Sequence, residues 1–394
     1  MGSNYFVEVN CQQINHYDER CCGDVFLSKR VKEENRMVMV LSDGMGHGIK
    51  ANLLATLTAT MAVNFSVEHK EPEKTAEIIM NTLPVCSERK MSYSTFTIVD
   101  VDTEGDVSLL GYDNPTAMIW RGARLLDPGW TSMVMQSERN VGKELISCVY
   151  TPQKEDRIVI CTDGITQSGL DSGKYNFGWG MENLQDFIRS LIEEDPDISA
   201  RKLAMRVANK AHINDNYKSK DDSSCAVIYF REPRKLMLCS GPPFEKEKDA
   251  VLAETLKNFD GKKIICGATT VDIIARELNL KVEDSFEFTD PDLPPVSYMQ
   301  GIDLVTEGIL TLGKVNEILN NFSTNYVITK GPADQIVKLL LMCDQITFIT
   351  GTAINIAHQD PNIPVDLEIR RTVIRRIARI LEEKFLKEVK LEYL

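Results

Sequence analysis

Two aspartates in this sequence stand where an apolar strand runs out into glycine. Leu41-Ser42-Asp43-Gly44-Met45-Gly46-His47-Gly48 closes the run Met37–Ser42, and Asp163-Gly164 follows Arg157–Thr162. An Asp at the end of a buried strand has a rigid support yet reaches the surface. A glycine beside it lets a backbone carbonyl approach a ligand. Two further acidic points lie at strand starts: Gly23-Asp24 precedes Val25–Leu27, and Asp221-Asp222-Ser223-Ser224 leads into Cys225–Phe230. Carboxylate, carbonyl and water oxygens are what Mg²⁺ or Mn²⁺ binds. Carboxylates gathered at one end of a sheet assembly repel one another and call for cations between them. Each Asp-Gly pair alone reads first as a plain turn, and spacing does not show that the four points meet. His47 reads first as a helix-start residue, because hard-cation sites seldom use imidazole.

The elements that must carry these residues read as short strands with helices inserted. Met37–Ser42, Ser94–Val99, Val107–Tyr112, Thr116–Arg121, Arg157–Thr162 and Ser224–Phe230 are apolar or β-branched runs bounded by Gly, Asp, Asn and Pro. The spacing predicts a turn at Thr103–Glu104–Gly105–Asp106 and antiparallel pairing, since such connections are too short for crossovers. Helices are expected over Ile49–Phe65, Met181–Ile192 and Ala200–Ala211, the last with Ser199 as N-cap. In the first of these, Leu53, Leu54, Leu57, Met61 and Phe65 recur at helical spacing and are expected to face a core.

The chain has 394 residues, which predicts two domains, and its 43% apolar content supplies packed cores. A net charge of -13 argues against a nucleic-acid binder. Met1–Asn10 has no signal-peptide core and no apolar run spans a bilayer, so a cytoplasmic protein without membrane contact is expected. The ten cysteines show no zinc-like spacing. Most lie in apolar runs and read as buried thiols, with Cys21-Cys22 open to a redox role.

Taken in order, the motifs resemble the SpoIIE-type bacterial branch of the protein phosphatase 2C (PP2C) family. Asp43-Gly44-Met45-Gly46-His47-Gly48 looks like its signature, and Cys22-Gly23-Asp24 like its first Gly-Asp motif. Gly111-Tyr112-Asp113-Asn114-Pro115-Thr116-Ala117-Met118-Ile119 resembles its Gly-His-x-Pro-Pro turn. Asp156-Arg157 through Thr162-Asp163-Gly164-Ile165-Thr166 resembles its Gly-Asp-Arg and Thr-Asp-Gly motif; Phe177-Gly178 and Asp221-Asp222-Ser223-Ser224 complete the series, over residues 5–232. The resemblance implies an α+β fold, an αββα sandwich of two antiparallel sheets flanked by helices, with a metal centre at one end. It implies a serine/threonine protein phosphatase using two Mn²⁺ or Mg²⁺ ions and water, with Asp43 and Asp163 central to catalysis. Asp43 would bridge the ions, the Gly44 carbonyl and Asp24 would serve one, and Asp163 and Asp221 the other. Asp222 would stand behind them or support a weaker third metal. The implied partner is a phosphorylated protein, of the kind of an anti-sigma-factor antagonist. The chain departs from the pattern at Tyr112, Asn114, Glu155 and Gln167, none of them an implied ligand. The alternative is an inactive phosphatase-fold binding protein whose second domain takes a small anion.

Residues 233–394 resemble no family by sequence. Strand and helix alternate there: Lys235–Cys239, Lys262–Cys266 and Ile346–Thr350 read as strands, Thr270–Leu278 and Gln335–Leu341 as helices, giving an α/β domain with a regulatory or ligand-binding role. Ser240-Gly241-Pro242-Pro243 and Cys266-Gly267-Ala268-Thr269-Thr270 each join a strand to a helix. Gly241, Gly267, Thr269 and Thr270 therefore form a candidate loop pair for an anionic effector, although such loops commonly only cap the helix. The segment Asp366–Glu388 is amphipathic, with Leu367, Ile374, Ile377, Leu381 and Phe385 in one stripe and Arg370, Arg371, Arg375, Arg376 and Arg379 outside it. Oligomeric state is left open, a homodimer being one outcome.

Overall fold

The structure is a computed structural model and describes residues 5–31, 34–68, 72–82, 94–103, 105–135, 140–170, 172–323, 326–353, 363–385 and 387–394. Glu104 of the expected turn and the side chain of Leu367 lie outside the described residues. The chain divides into two compact units, Met1–Glu232 and Pro233–Leu394. Among the described residues no helix is long and apolar enough to cross a membrane.

In the first unit the order is β1 (Phe6–Ile14), β2 (Val25–Val31), β3 (Arg36–Gly44), α1 (Gly48–Glu68), α2 (Pro72–Thr82), β4 (Ser94–Asp102), β5 (Val107–Tyr112), β6 (Met118–Arg121), β7 (Arg124–Leu126), β8 (Thr131–Val134), β9 (Glu144–Tyr150), β10 (Asp156–Cys161), α3 (Asp163–Thr166), α4 (Gly180–Glu194), α5 (Ala200–Asn214) and β11 (Ser223–Arg231). One sheet runs β1-β11-β10-β6-β7 and the other β2-β3-β4-β5-β9-β8, with antiparallel pairing throughout. The period-2 pleat builds three apolar layers. In β3, Met39 and Leu41 join Ile158, Ile160, Ala226, Ile228 and Phe230 between the sheets. On the opposite faces, Val38 and Val40 pack with Ala59, Ala62 and Val63 of α1, and Val159, Cys161, Cys225 and Val227 pack under α4 and α5. The result is the αββα sandwich. Ser199 caps α5 as expected, accepting from the Lys202 N–H at 3.2 Å.

Helix α1 corrects the sequence reading. Leu53 and Leu57 are 64% and 48% exposed, whereas Ala51, Ala55, Ala59 and Ala62 are fully buried. Met61 and Phe65 are half-buried at the edge of that layer. The physical reason is closeness. A Cβ on Gly44 would collide with the Ala51 carbonyl, so the helix lies too near the end of β3 for leucine on its inner face.

The second unit follows as β12 (Lys235–Ser240), α6 (Asp249–Asn258), β13 (Lys262–Cys266), α7 (Ala268–Leu278), β14 (Val282–Asp284), β15 (Ser297–Met299), β16 (Leu304–Thr306), α8 (Ile309–Asn321), α9 (Pro332–Met342), β17 (Gln345–Thr350), α10 (Ile363–Glu383) and β18 (Glu388–Tyr393). Its sheet order is β14-β15-β16-β13-β12-β17-β18, parallel from β16 to β18. Helices α8, α9 and α10 cover one face, and α6 and α7 the other. Ile374, Ile377 and Leu381 of the expected stripe form the buried face of α10. The segment that follows it forms β18 rather than more helix.

Because α1 buries alanines, Ala59→Leu is expected to overpack the layer and cost about 1–3 kcal/mol. Leu53→Ser should change stability by no more than about 0.5 kcal/mol. Urea unfolding midpoints of the two variants test the orientation of the helix, and the reverse ranking would refute it.

Candidate metal centre

Pairing register brings the acidic points to one end of the sandwich. Val25 lies opposite Ser42, so Asp24 and Asp43 are neighbours at the edge of one sheet. Cys161 lies opposite Cys225, so Asp163 and the Asp221-Asp222 pair are neighbours at the edge of the other. Asp24 joins the two sheets. Its Oδ2 accepts from Thr162 Oγ1 at 2.9 Å and Ser224 Oγ at 2.6 Å, and the Ser224 N–H donates to Thr162 Oγ1 at 2.9 Å. Gln13 adds a clamp, its amide donating to the Asp24 carbonyl and to Ser224 Oγ, both at 3.1 Å. Gln13, Thr162 and Ser224 carried no signal of this role in the sequence, because it depends on the meeting of strands far apart in the chain.

Glycine permits the convergence at two places. The side-chain position of Gly44 is filled by α1, as above, and a Cβ on Gly164 would collide with the Asp222 carbonyl. Any larger residue at either position would push an aspartate out of the cluster.

The electrostatic result is a set of carboxyls that resist ionising. Burial pushes Asp43 up to about 10, with further rises from Asp24, Asp163 and Asp221 and from a hydrogen bond with Asp163. Burial raises Asp24 to about 7 against the hydrogen bonds from Ser224 and Thr162, and raises Asp221 to about 6 with help from Asp163. Among the described residues, Asp24 Oδ1, Asp163 Oδ1 and Asp222 Oδ2 are buried without a hydrogen-bond partner. Asp43, Asp163 and Asp221 line a cavity of about 1050 Å³ together with His47, Lys143 and Lys220. Asp24 lies below it, 2% exposed.

Orphaned, mutually repelling oxygens of this hard type fit divalent cations. The fit rests on carboxylate pairs, the Gly44 carbonyl and water. Among the described residues, no three His, Cys, Asp or Glu side chains already form a group able to hold a metal ion. Asp222 turns away from the cavity. Its Oδ1 accepts the His16 N–H at 3.0 Å, and its Oδ2 packs against Gly23. His47 is half exposed, contacts Glu19 Oε1 at 2.8 Å and stacks on His16 with ring centroids 4.4 Å apart.

Three of the four departures from the family pattern, Asn114, Glu155 and Gln167, make defined local contacts. Asn114 is buried and knits β3 to β4: its amide donates to the Leu41 carbonyl at 3.3 Å and Thr97 Oγ1 at 3.1 Å, and its oxygen accepts from Thr95 Oγ1. Glu155 sits at φ +71°, a conformation glycine takes without strain. Its carboxylate accepts from the Tyr229 hydroxyl. Gln167 donates to Asp163 Oδ2 at 2.8 Å, a bond that a carboxylate at this position would exchange for repulsion.

In the second unit the loops singled out by sequence are neighbours. The Gly241 N–H donates to Thr270 Oγ1 at 2.8 Å, and a Cβ on Gly267 would stand 3.7 Å from the same oxygen. Thr270 is thus buried between the loops, whereas Thr269 is exposed.

Comparison with known proteins bears on the first unit. Residues 33–231 match the family model of stage II sporulation protein E (SpoIIE). The phosphatase domain of SpoIIE from Bacillus subtilis, in a crystal form without domain swapping, aligns at 13% identity and TM-score 0.43, covering 59% of this chain and 95% of that one. The PP2C domain of the Bacillus subtilis protein with a fragment of its regulatory domain aligns at 16% and 0.46, covering 58% and 62%. RsbX in complex with magnesium aligns at 16% and 0.39, covering 57% and 95%. No curated protein matches the chain.

The raised carboxyls set a pH dependence. Each holds its proton more tightly folded than unfolded, so the folded chain binds more protons above the ordinary carboxyl value of about 4. Stability of the metal-free protein therefore falls as pH rises through about 6 for Asp221 and about 7 for Asp24. Thermal melts in EDTA should show a lower Tm at pH 8 than at pH 5.5, and millimolar Mn²⁺ should remove most of the difference. A Tm that climbs over this range and ignores Mn²⁺ would contradict the cluster.

Proposed function

The chain belongs to the SpoIIE family, whose model spans residues 33–231 of its 394, and from that premise we propose that it is a metal-dependent serine/threonine protein phosphatase. The observation that carries the proposal is the set of aspartates from both sheets at one end of the sandwich, with Asp43, Asp163 and Asp221 lining an open cavity and oxygens of Asp24 and Asp163 left without hydrogen-bond partners among the described residues. In this reading Asp43, Asp24, the Gly44 carbonyl, Asp163 and Asp221 are the groups that would hold two Mn²⁺ or Mg²⁺ ions, Asp43 being shared by both. When bound, the ions lower the pKa of a water molecule and offset charge on the phosphoryl group.

The chain's own residues then have separable tasks. Asp43 and Asp163, as the catalytic pair, set the spacing of the charges at the cavity floor. Thr162 and Ser224 hold Asp24 in one orientation, and the Gln167 amide does the same for Asp163. Lys143 and Lys220 supply positive charge at the wall, where a phosphorylated segment enters. Asp222 supports the backbone behind the site. A phosphorylated anti-sigma-factor antagonist is the substrate class that family analogy suggests. The second unit takes the regulatory part in this reading.

Asp43→Asn and Asp163→Asn should each lower Mn²⁺-dependent hydrolysis of a phosphoserine peptide on the order of 100-fold or more. Gln167→Ala, acting through Asp163, should lower it about tenfold. Undiminished turnover in both aspartate variants, or no effect of Mn²⁺ on the parent protein, would sink the assignment.

A further inference from the structure

The parallel strands of the second unit end in polar residues that point into an otherwise apolar layer. Register sets Thr306, Cys266, Ser240 and Thr350 side by side across β16, β13, β12 and β17. Two residues earlier on each strand stand Leu304, Ile264, Leu238 and Phe348, all in the cluster under α8, α9 and α10. The pleat therefore directs the polar row toward the same helices. Each member is 4% exposed or less. Of these, Cys266 and Thr306 contact each other at 3.2 Å. Among the described residues Ser240 Oγ has no partner, nor has Thr311 Oγ1 in the first turn of α8, 0% exposed, nor the buried Oε2 of Glu307, which follows Thr306. Buried hydroxyls are rarely left so.

Glycines and one arginine complete the surroundings. Gly241, Gly267 and Gly351 directly follow their strands, and Gly308 follows Glu307. Gly241 has φ +89°, and the place of its side chain is taken by Arg370 of α10, Nη1 lying 2.6 Å from where a Cβ would stand. The Gly351 carbonyl is 3.1 Å from the same point, so the arginine stands where the loops after β12 and β17 meet. In chain order the parallel strands run 3-2-1-4-5 across the sheet. Open sheets of this order take ligands beyond the strand ends where the order reverses, here between β12 and β17. A Cβ on Gly308 would stand 3.3 Å from the Gly267 Cα, and the Thr270 hydroxyl links Gly267 to Gly241, so Thr311 and Arg370 flank one continuous edge. Gly308 begins α8 without a side-chain cap.

We propose that this edge binds the phosphate group of a small phosphorylated, hydroxyl-bearing ligand. Arg370 and the uncapped start of α8 face the phosphate, with hydrogen bonds from Ser240 and Thr311. Glu307, which a bare anion would avoid, accepts from a ligand hydroxyl. Sequence reading placed the site at Gly241, Gly267, Thr269 and Thr270, and the two glycines lie on this edge. Thr269 is exposed and Thr270 is engaged by Gly241, so the ligand-facing groups are Ser240, Thr311, Glu307 and Arg370 instead.

The test is calorimetric titration of the full chain in EDTA, where the aspartate centre has no metal and cannot turn the probe over. The probes are inorganic phosphate, ribose 5-phosphate and adenosine 5′-monophosphate; the first distinguishes free phosphate as the ligand from the phosphate of a larger molecule. Saturable binding is expected, tighter for ribose 5-phosphate than for inorganic phosphate. Arg370→Gln should weaken every probe at least about tenfold. Ser240→Ala, which removes only an unpartnered hydroxyl, should weaken binding with an unchanged Tm. Glu307→Gln should weaken ribose 5-phosphate but not inorganic phosphate. Arg379→Gln, 76% exposed on the same helix, should leave binding unchanged. Absence of saturable binding at millimolar concentration, or variants at Ser240 and Glu307 that bind every probe like the parent, would overturn the proposal whatever the fate of the phosphatase reading.

Discussion

Repulsion among carboxyls at the end of the sandwich is the constraint to which the first unit is built. Left to themselves, Asp24, Asp43, Asp163 and Asp221 would separate; burial and mutual repulsion make Asp24, Asp43 and Asp221 hold their protons above the ordinary carboxyl range. Asp43, Asp163 and Asp221 stay together because the strands beside them, β3, β10 and β11, are buried on both faces, while Asp24, at the start of the half-exposed edge strand β2, is held by Thr162 and Ser224. Val38 and Val40 on one side of β3, and Met39 and Leu41 on the other, are fully buried, so the strand cannot slide to relieve its last residue. The same holds for β10 and β11, whose residues face both the other sheet and the helices. A slip of one residue would exchange two filled layers at once. The apolar layers thus hold a charge arrangement that is unfavourable by itself, which is the usual relation between a rigid scaffold and a site that needs a counter-ion.

Hydroxyl groups then convert proximity into orientation. Asp24 could turn either oxygen toward the cluster, but Thr162 and Ser224 both donate to Oδ2 and leave Oδ1 without a partner. Gln167 does the corresponding work on Asp163, engaging Oδ2 and leaving Oδ1. In each case a neutral donor fixes one oxygen and spares the other. A lysine or arginine in either place would offset the carboxylate charge directly and remove the reason for a cation. The departure of Gln167 from a family glutamate is read in the same terms: an amide orients, whereas another carboxylate would add to the repulsion.

Much of this was legible in the sequence, and the parts that were not have identifiable causes. The strands Val107–Tyr112 and Lys262–Cys266 begin and end where apolar and β-branched runs predicted. The Asp-Gly pairs marked the site because two separate features, an apolar run and a glycine, coincide at each. Short edge strands such as Arg124–Leu126 and Thr131–Val134 gave no comparable run. Helix α1 was located but turned the wrong way, because hydrophobic periodicity ranks leucine above alanine while a helix lying against glycine at a strand end admits only small residues. Gln13 gave no signal, and Thr162 and Ser224 stood in motifs without any sign of their hold on Asp24, since a hydroxyl or amide acquires its meaning only from a carboxylate brought to it by another strand.

The two units solve one problem from opposite directions. Both place polar groups in register at the ends of strands whose interiors are apolar, and both use glycine to let backbone approach backbone there. In the first unit the row ends in carboxylates, so the field at the opening attracts cations. In the second it ends in hydroxyls beside an arginine, a glutamate and a helix start without a side-chain cap, the arrangement on which the proposed phosphate site rests. What differs is not the architecture of the edge but the sign of the charge that the proposed ligand of each brings to it. That sign follows from a few side chains at strand termini, positions where a substitution alters chemistry without disturbing the apolar layers beneath.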